Sequence, residues 1–140
     1  MYTTLEATVC DKNDSKKMKE VGFLQDSIFY WTWNDNDTSI LTCPHFVGMM
    51  EDKNNASAYT IMELLSMLPA TIFISKYNED FRLSVTKRPE KNKLTKEWHA
   101  CYRSMKYPDL TMYEEQGRVN DLSRVLARIA CCLKRDGKIL

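Results

Sequence analysis

A chain of 140 residues, 44% apolar and 28% charged, has the length of one domain and the composition of an ordinary globular fold. Its formal net charge of +1 gives no global attraction to nucleic acid or to an anionic membrane, so only local patches are left to carry such contacts. Four glycines and four prolines exclude collagen-like and low-complexity chains, and no stretch approaches the ~18 apolar residues of a membrane span.

The cysteines are Cys10, Cys43, Cys101, Cys131 and Cys132, an odd number with no C-x-x-C pair. The opening MYTTLEATVC lacks the apolar core of a secretion signal. Together these features predict a cytoplasmic protein with reduced thiols and no membrane partner. The three N-x-S/T matches, starting at Asn13, Asn36 and Asn55, are then chance matches in polar loops.

The segment DSKKMKEVGF reads as a first helix, with Asn13 or Asp14 accepting from the free N–H groups of its first turn. Gly22 closes its last turn in the left-handed conformation. Residues 27–33 form a strand rich in aromatic and β-branched types. The NDND turn and a second strand, 39–43, complete a hairpin. Residues 48–59 read as a polar loop.

The second helix carries the clearest local signal. Ile61, Leu64, Leu65 and Leu68 share one face, Thr60 and Glu63 form a capping box, and Pro69 ends the run. ATIFISKY and FRLSVTK are two strands joined at NED. In the latter, Phe81, Leu83 and Val85 alternate with Arg82, Ser84 and Thr86, the pattern of a sheet buried on one side. EWHACYRSM repeats that alternation, and a long polar connection runs from it through Gly117.

The last helix spans about residues 120–136. Leu122, Val125, Leu126, Ile129, Ala130 and Leu133 make one apolar stripe, and Arg124, Arg128 and Arg135 fall on the opposite face. The element order is α-β-β-α-β-β-β-α. Hairpin-length connections imply antiparallel pairing. The expectation is one α+β domain over residues 1–140, an antiparallel sheet of about five strands layered with about three helices.

At these residues the chain resembles a known group. SKKMKEVGFLQDSIFYW is similar to the opening of small proteins encoded by phages and prophages of gut bacteria, where a lysine-rich helix leads into an aromatic strand. ASAYTIMELLSMLP resembles the capped helix of that group, and SRVLARIACCLKRDGKI its closing helix. The resemblance implies a phage α/β sandwich-like fold and a mobile-element origin. It carries over no active-site residue.

Candidate chemistry is sparse. Ile28, Tyr30 and Thr32 point to one side of the aromatic strand, Phe29, Trp31 and Trp33 to the other. The strand is either buried on one face and covered on the other, or a stacking platform in which Trp31 and Trp33 receive bases. Asp35 and Asp37 would repel phosphates there. Cys43 with His45, and His99 with Cys101, are each spaced i, i+2, which puts both members of a pair on one strand face. Neighbouring strands would then bring four ligands into a tetrahedral metal site, although these spacings match no common zinc signature and small buried cysteines are frequent in cores.

Cys131 lies near the arginines and is the candidate reactive thiol. Arg124, Arg128 and Arg135, with the basic run KRPEKNKLTK, are the candidate phosphate contacts. The acidic turns lack the glycine and downstream glutamate of a calcium loop. The preferred expectation is a non-enzymatic accessory protein without a cofactor, acting by contact with itself or another protein. Met49, Met50, Met62 and Met67 supply adaptable apolar surface for it. The alternative is a nucleic-acid-binding module using the arginine face and exposed aromatics.

Overall fold

A computed structural model describes residues 8–33, 39–42, 54–89, 96–118 and 120–139. Within them the order is α1 (Lys12–Glu20), β1 (Tyr30–Trp33), β2 (Ser39–Thr42), β3 (Asn55–Ser57), α2 (Ile61–Met67), β4 (Thr71–Ile74), β5 (Glu79–Pro89), β6 (Lys96–Ser104), β7 (Thr111–Arg118) and α3 (Leu122–Arg135). The class is α+β, as expected. The single sheet of about five strands is not found. The strands form two antiparallel sheets, one of three in the order β2-β1-β3 and one of four in the order β4-β5-β6-β7.

Two strands account for the difference. β3 lies in the stretch expected to be a polar loop. Its sequence, NAS, shows no alternation because all of its residues are buried. Its backbone polarity is met at long range: Lys19 Nζ donates to the Asn55 carbonyl at 2.6 Å, and the Ser57 N–H donates to Gln25 Oε1 at 2.7 Å. β7 lies in the stretch expected to be a polar connection. Its alternation is broken by a bulge where the register shifts between Ala100 and Tyr102, and there Tyr113 adopts left-handed geometry at φ 55°. The turn before β5 also sits earlier than expected, at 75–78, with Asn78 at φ 52°.

The helix boundaries follow local chemistry. Asp11, rather than Asn13 or Asp14, caps α1, its Oδ1 accepting from the Asp14 N–H at 2.7 Å. Gly22, at φ 98°, reverses the chain so that the Phe23 N–H donates to the Met18 carbonyl at 3.1 Å. The expected Thr60–Glu63 capping box is present on α2. α3 has no side-chain cap at Asp121, and its far end closes through Gly137 at φ 72° with the Lys138 N–H donating to the Leu133 carbonyl at 2.8 Å.

The main core lies between one face of the four-stranded sheet and the helices. Ile72, Ile74, Phe81, Ala100 and Tyr102 come from the sheet, Val125, Leu126, Ile129, Ala130 and Leu133 from α3, Leu64 from α2 and Met18 from α1. The other face of that sheet carries Arg82, Ser84, Thr86, His99, Cys101 and Arg103 by alternation. A second cluster, Val9, Trp31 and Ala58 with Phe29, Trp33 and Leu41 beside it, belongs to the three-stranded sheet. Among the described residues no helix is long and apolar enough to cross a membrane.

Gly117 marks the closest approach of β7 to α3. A Cβ there would stand 2.7 Å from Val125 Cγ2 and 2.9 Å from Asp121 Cβ, closer than packed carbons allow. Gly117→Ala is expected to lower unfolding free energy by about 1–3 kcal/mol through overpacking, measured by urea denaturation. Equal midpoints would show that β7 and α3 stand further apart.

Candidate functional site

Three helix ends converge on one groove. The turn after α1 buries Phe23 and presents Leu24, the end of α2 supplies Met67 and Pro69, and the tail after α3 supplies Lys138 and Ile139. Together with Tyr59 and Asp26 these residues line a hollow of about 410 Å³, within the size range of binding pockets. Phe23 meets Tyr59 edge-on at 6.5 Å between ring centres, and Lys134 Nζ lies 5.5 Å from the Phe23 ring centre. Lys138 Nζ is held by the Phe73 carbonyl at 3.0 Å.

The groove is apolar with charged rims. Tyr59 is fully buried on the inner wall of this groove. Burial, reinforced by the Asp26 charge, pushes the Tyr59 phenol well above its ordinary value, so it stays protonated. Leu24 is 77% exposed on the lip. Ile28, 61% exposed, and Met62, 75% exposed, are further exposed apolar side chains, each next in sequence to a member of the Ser27–Glu63 hydrogen bond of 2.9 Å.

A second hollow, of about 190 Å³, opens between α1 and α3. Asp14, Lys17 and Val21 line it from α1, Arg128, Cys131, Cys132 and Arg135 from α3, and Glu115 from β7. Two of the three predicted arginines therefore meet in one place, and Arg124 is close enough to act on Asp14 from the same helix. All three are exposed. Burial lifts the Cys131 thiol to about 11, with the Asp14 charge adding, so Cys131 is not the activated thiolate that a nucleophile needs.

The other sequence-predicted residues are dispersed. Trp31 is 6% exposed, and its indole N–H donates to the Cys10 carbonyl at 2.7 Å. Trp33 is half-buried with Lys16 Nζ 4.4 Å from its ring centre. Tyr30, on the opposite side of β1, is also buried, so both faces of the aromatic strand are covered. His99 and Cys101 are both buried; His99 Nε2 lies 3.3 Å from Glu114 Oε1, and Arg103 Nη2 lies 3.8 Å from Cys101 Sγ. Cys43 and His45 lie outside the described residues, as do Met49, Met50, Asp35 and Asp37. Among the described residues no group of three or more His, Cys, Asp or Glu side chains is placed to hold a metal.

Sequence reasoning missed the groove. Its walls come from Phe23, Met67 and Ile139, which belong to three separate helix ends. The visible signals were the stop residues Gly22, Pro69 and Gly137, which mark where each helix releases its chain. Comparison with known proteins finds no matching family model, no matching curated protein and no matching solved structure.

Asp14 makes the α1–α3 hollow pH-sensitive. Its carboxyl is lifted from 3.8 to about 6, first by burial, then by the charge of Asp11, with Arg128 and Arg124 opposing. A carboxyl with a raised folded value binds its proton more tightly in the folded chain, so this group's contribution to stability falls as pH rises from 3.8 to about 6. Asp14→Asn is therefore expected to stabilise the protein by about 1 kcal/mol at pH ~8, after allowing for solvent screening, and by nothing below pH ~4. Urea melts at the two pH values measure this, and a pH-independent difference would assign the effect to packing instead.

Proposed function

We propose that this chain is a non-enzymatic protein-contact module that associates with a second copy of itself through the groove at the three helix ends. The observation that carries the reading is Leu24, 77% exposed on the lip of an apolar hollow of about 410 Å³. A knob beside a hole is self-complementary under two-fold symmetry: each copy places its Leu24 into the other's groove. The rim charges match the same operation, since Asp26 and Lys138 border one groove and would face each other across the axis.

Ile28 and Met62 supply the surrounding apolar area, which a stable dimer needs at about 800 Å² per partner. The protonated Cys131 and Cys10 thiols support a non-enzymatic role, because a thiol nucleophile acts as its thiolate. The resemblance of the opening helix, the capped helix and the closing helix to proteins of phages and prophages supports an accessory role in that setting. Nucleic-acid binding is the second reading, favoured by the exposed Arg124, Arg128 and Arg135 beside Lys17. It ranks lower because Trp31 is buried and Trp33 is half-buried beside Lys16, which leaves no open aromatic platform on β1.

Sedimentation equilibrium across protein concentration tests the proposal. The expected outcome is a reversible dimer that Leu24→Asp weakens by at least about tenfold, since it forces a charge into an apolar contact, while far-UV circular dichroism stays unchanged. A monomer at every concentration, or a dimer indifferent to Leu24→Asp, would sink the proposal.

A further inference from the structure

The face of the four-stranded sheet turned away from the helices places two like charges side by side. Arg82 on β5 stands directly opposite Arg103 on β6. The same row continues to Thr71 on β4 and Thr111 on β7. Directly opposed side chains on antiparallel strands stand about 5 Å apart at Cβ, and like charges there oppose pairing. A sequence selected only for sheet stability would put an acid opposite an arginine.

Neither guanidinium has a described carboxylate as its partner. Arg103 is anchored by neutral groups, Nη1 donating to the Pro108 carbonyl and Nη2 lying 3.8 Å from Cys101 Sγ. Among the described residues no carboxylate reaches ion-pair distance of either arginine. The acids nearby are otherwise placed. Asp80, two positions before Arg82 on the same face, makes no ion pair, Glu79 accepts from Ser104 Oγ at 2.6 Å, and Glu114 is engaged by His99 and Thr111. Arg82 is exposed. Around the pair lies a hollow of about 430 Å³, lined also by Leu83, Ser84, Val85, Ser104 and Met105.

We propose that Arg82 and Arg103 form a phosphate-binding site on the face of this sheet turned away from the helices. A tetrahedral dianion matches the two positive charges, and each guanidinium fork can give two parallel N–H bonds to a pair of its oxygens. The Ser84 hydroxyl, on the same face, adds a neutral donor. Binding removes the repulsion between the arginines, so the ligand and the folded sheet stabilise each other. The ligand is a phosphate dianion, free or as the terminal group of a monoester. The site is separate from the dimer groove, so either proposal can fail alone.

Isothermal titration of the full chain with inorganic phosphate, and with a nucleoside monophosphate, against sodium chloride at equal ionic strength is the test. The expected result is saturable binding of one phosphate group that Arg82→Gln weakens by at least about tenfold and Arg82→Lys, which keeps the charge but not the fork, weakens less. Preference for the inorganic ion identifies a free-phosphate site, and preference for the nucleotide a monoester site. Thermal melting gives the second readout. Phosphate should raise the wild-type midpoint more than that of Arg82→Gln, and in chloride Arg82→Gln should melt at or above wild type because the repulsion is gone. Phosphate stabilises many proteins by exclusion from their surface, an effect that the substitution leaves intact. Equal phosphate shifts in both proteins, or no saturable heat, would overturn the proposal.

Discussion

The apolar stripe of α3 is buried on every side that it faces, and the rest of the fold is arranged to bury it. Val125, Leu126, Ile129, Ala130 and Leu133 are all inaccessible to solvent or nearly so. One helix cannot bury such a stripe alone; β6 and β7 supply the floor, and α1 and α2 the flanks. The approach is close enough that β7 needs a glycine, Gly117, opposite Val125 and Asp121. The same helix ties the N-terminal side of the chain to the main core, since Ser123 Oγ donates to the Val9 carbonyl at 2.9 Å.

The groove is a consequence of that packing. α1 and α2 both end against α3, and each stops for its own local reason. Gly22 reverses α1, Pro69 denies α2 another turn, and Gly137 closes α3. Phe23, Tyr59 and Ile139 continue the apolar surface past the helix ends but do not fill it. An unfilled apolar hollow with an exposed leucine on its lip is costly for an isolated molecule and useful to an assembling one. The two arginines on the far sheet face pose the same kind of question in electrostatic form. Each feature opposes the stability of the free chain, and that cost is what motivates the two proposals.

The aromatic strand shows how a strong sequence signal can stay ambiguous. Four aromatic side chains in FYWTW fit burial, the preferred expectation, and also recognition. Burial won for Trp31 because Val9 and Ala58, distant in sequence, close over it and the Cys10 carbonyl accepts a hydrogen bond from its indole N–H. Tyr30 is buried on the other side of the same strand. The pairs Cys43–His45 and His99–Cys101 show the reverse limit, since a spacing of i, i+2 says which face a pair shares and nothing about which strand lies next to it.

What the sequence determined by itself was local. The α+β class, the capped α2, the stripe of α3, the glycine stop of α1 and the one-sided β5 follow from periodicity and capping, which act over a few residues. The tertiary structure alone decided that the strands divide into two sheets, because β3 is all buried and β7 is bulged, so neither shows the period-two pattern that marks a half-exposed strand. It alone decided that Phe23, Met67 and Ile139 wall one groove and that Arg82 faces Arg103. Those neighbours are separated by tens of residues along the chain, and pairing register and helix docking, rather than any local preference, bring them together.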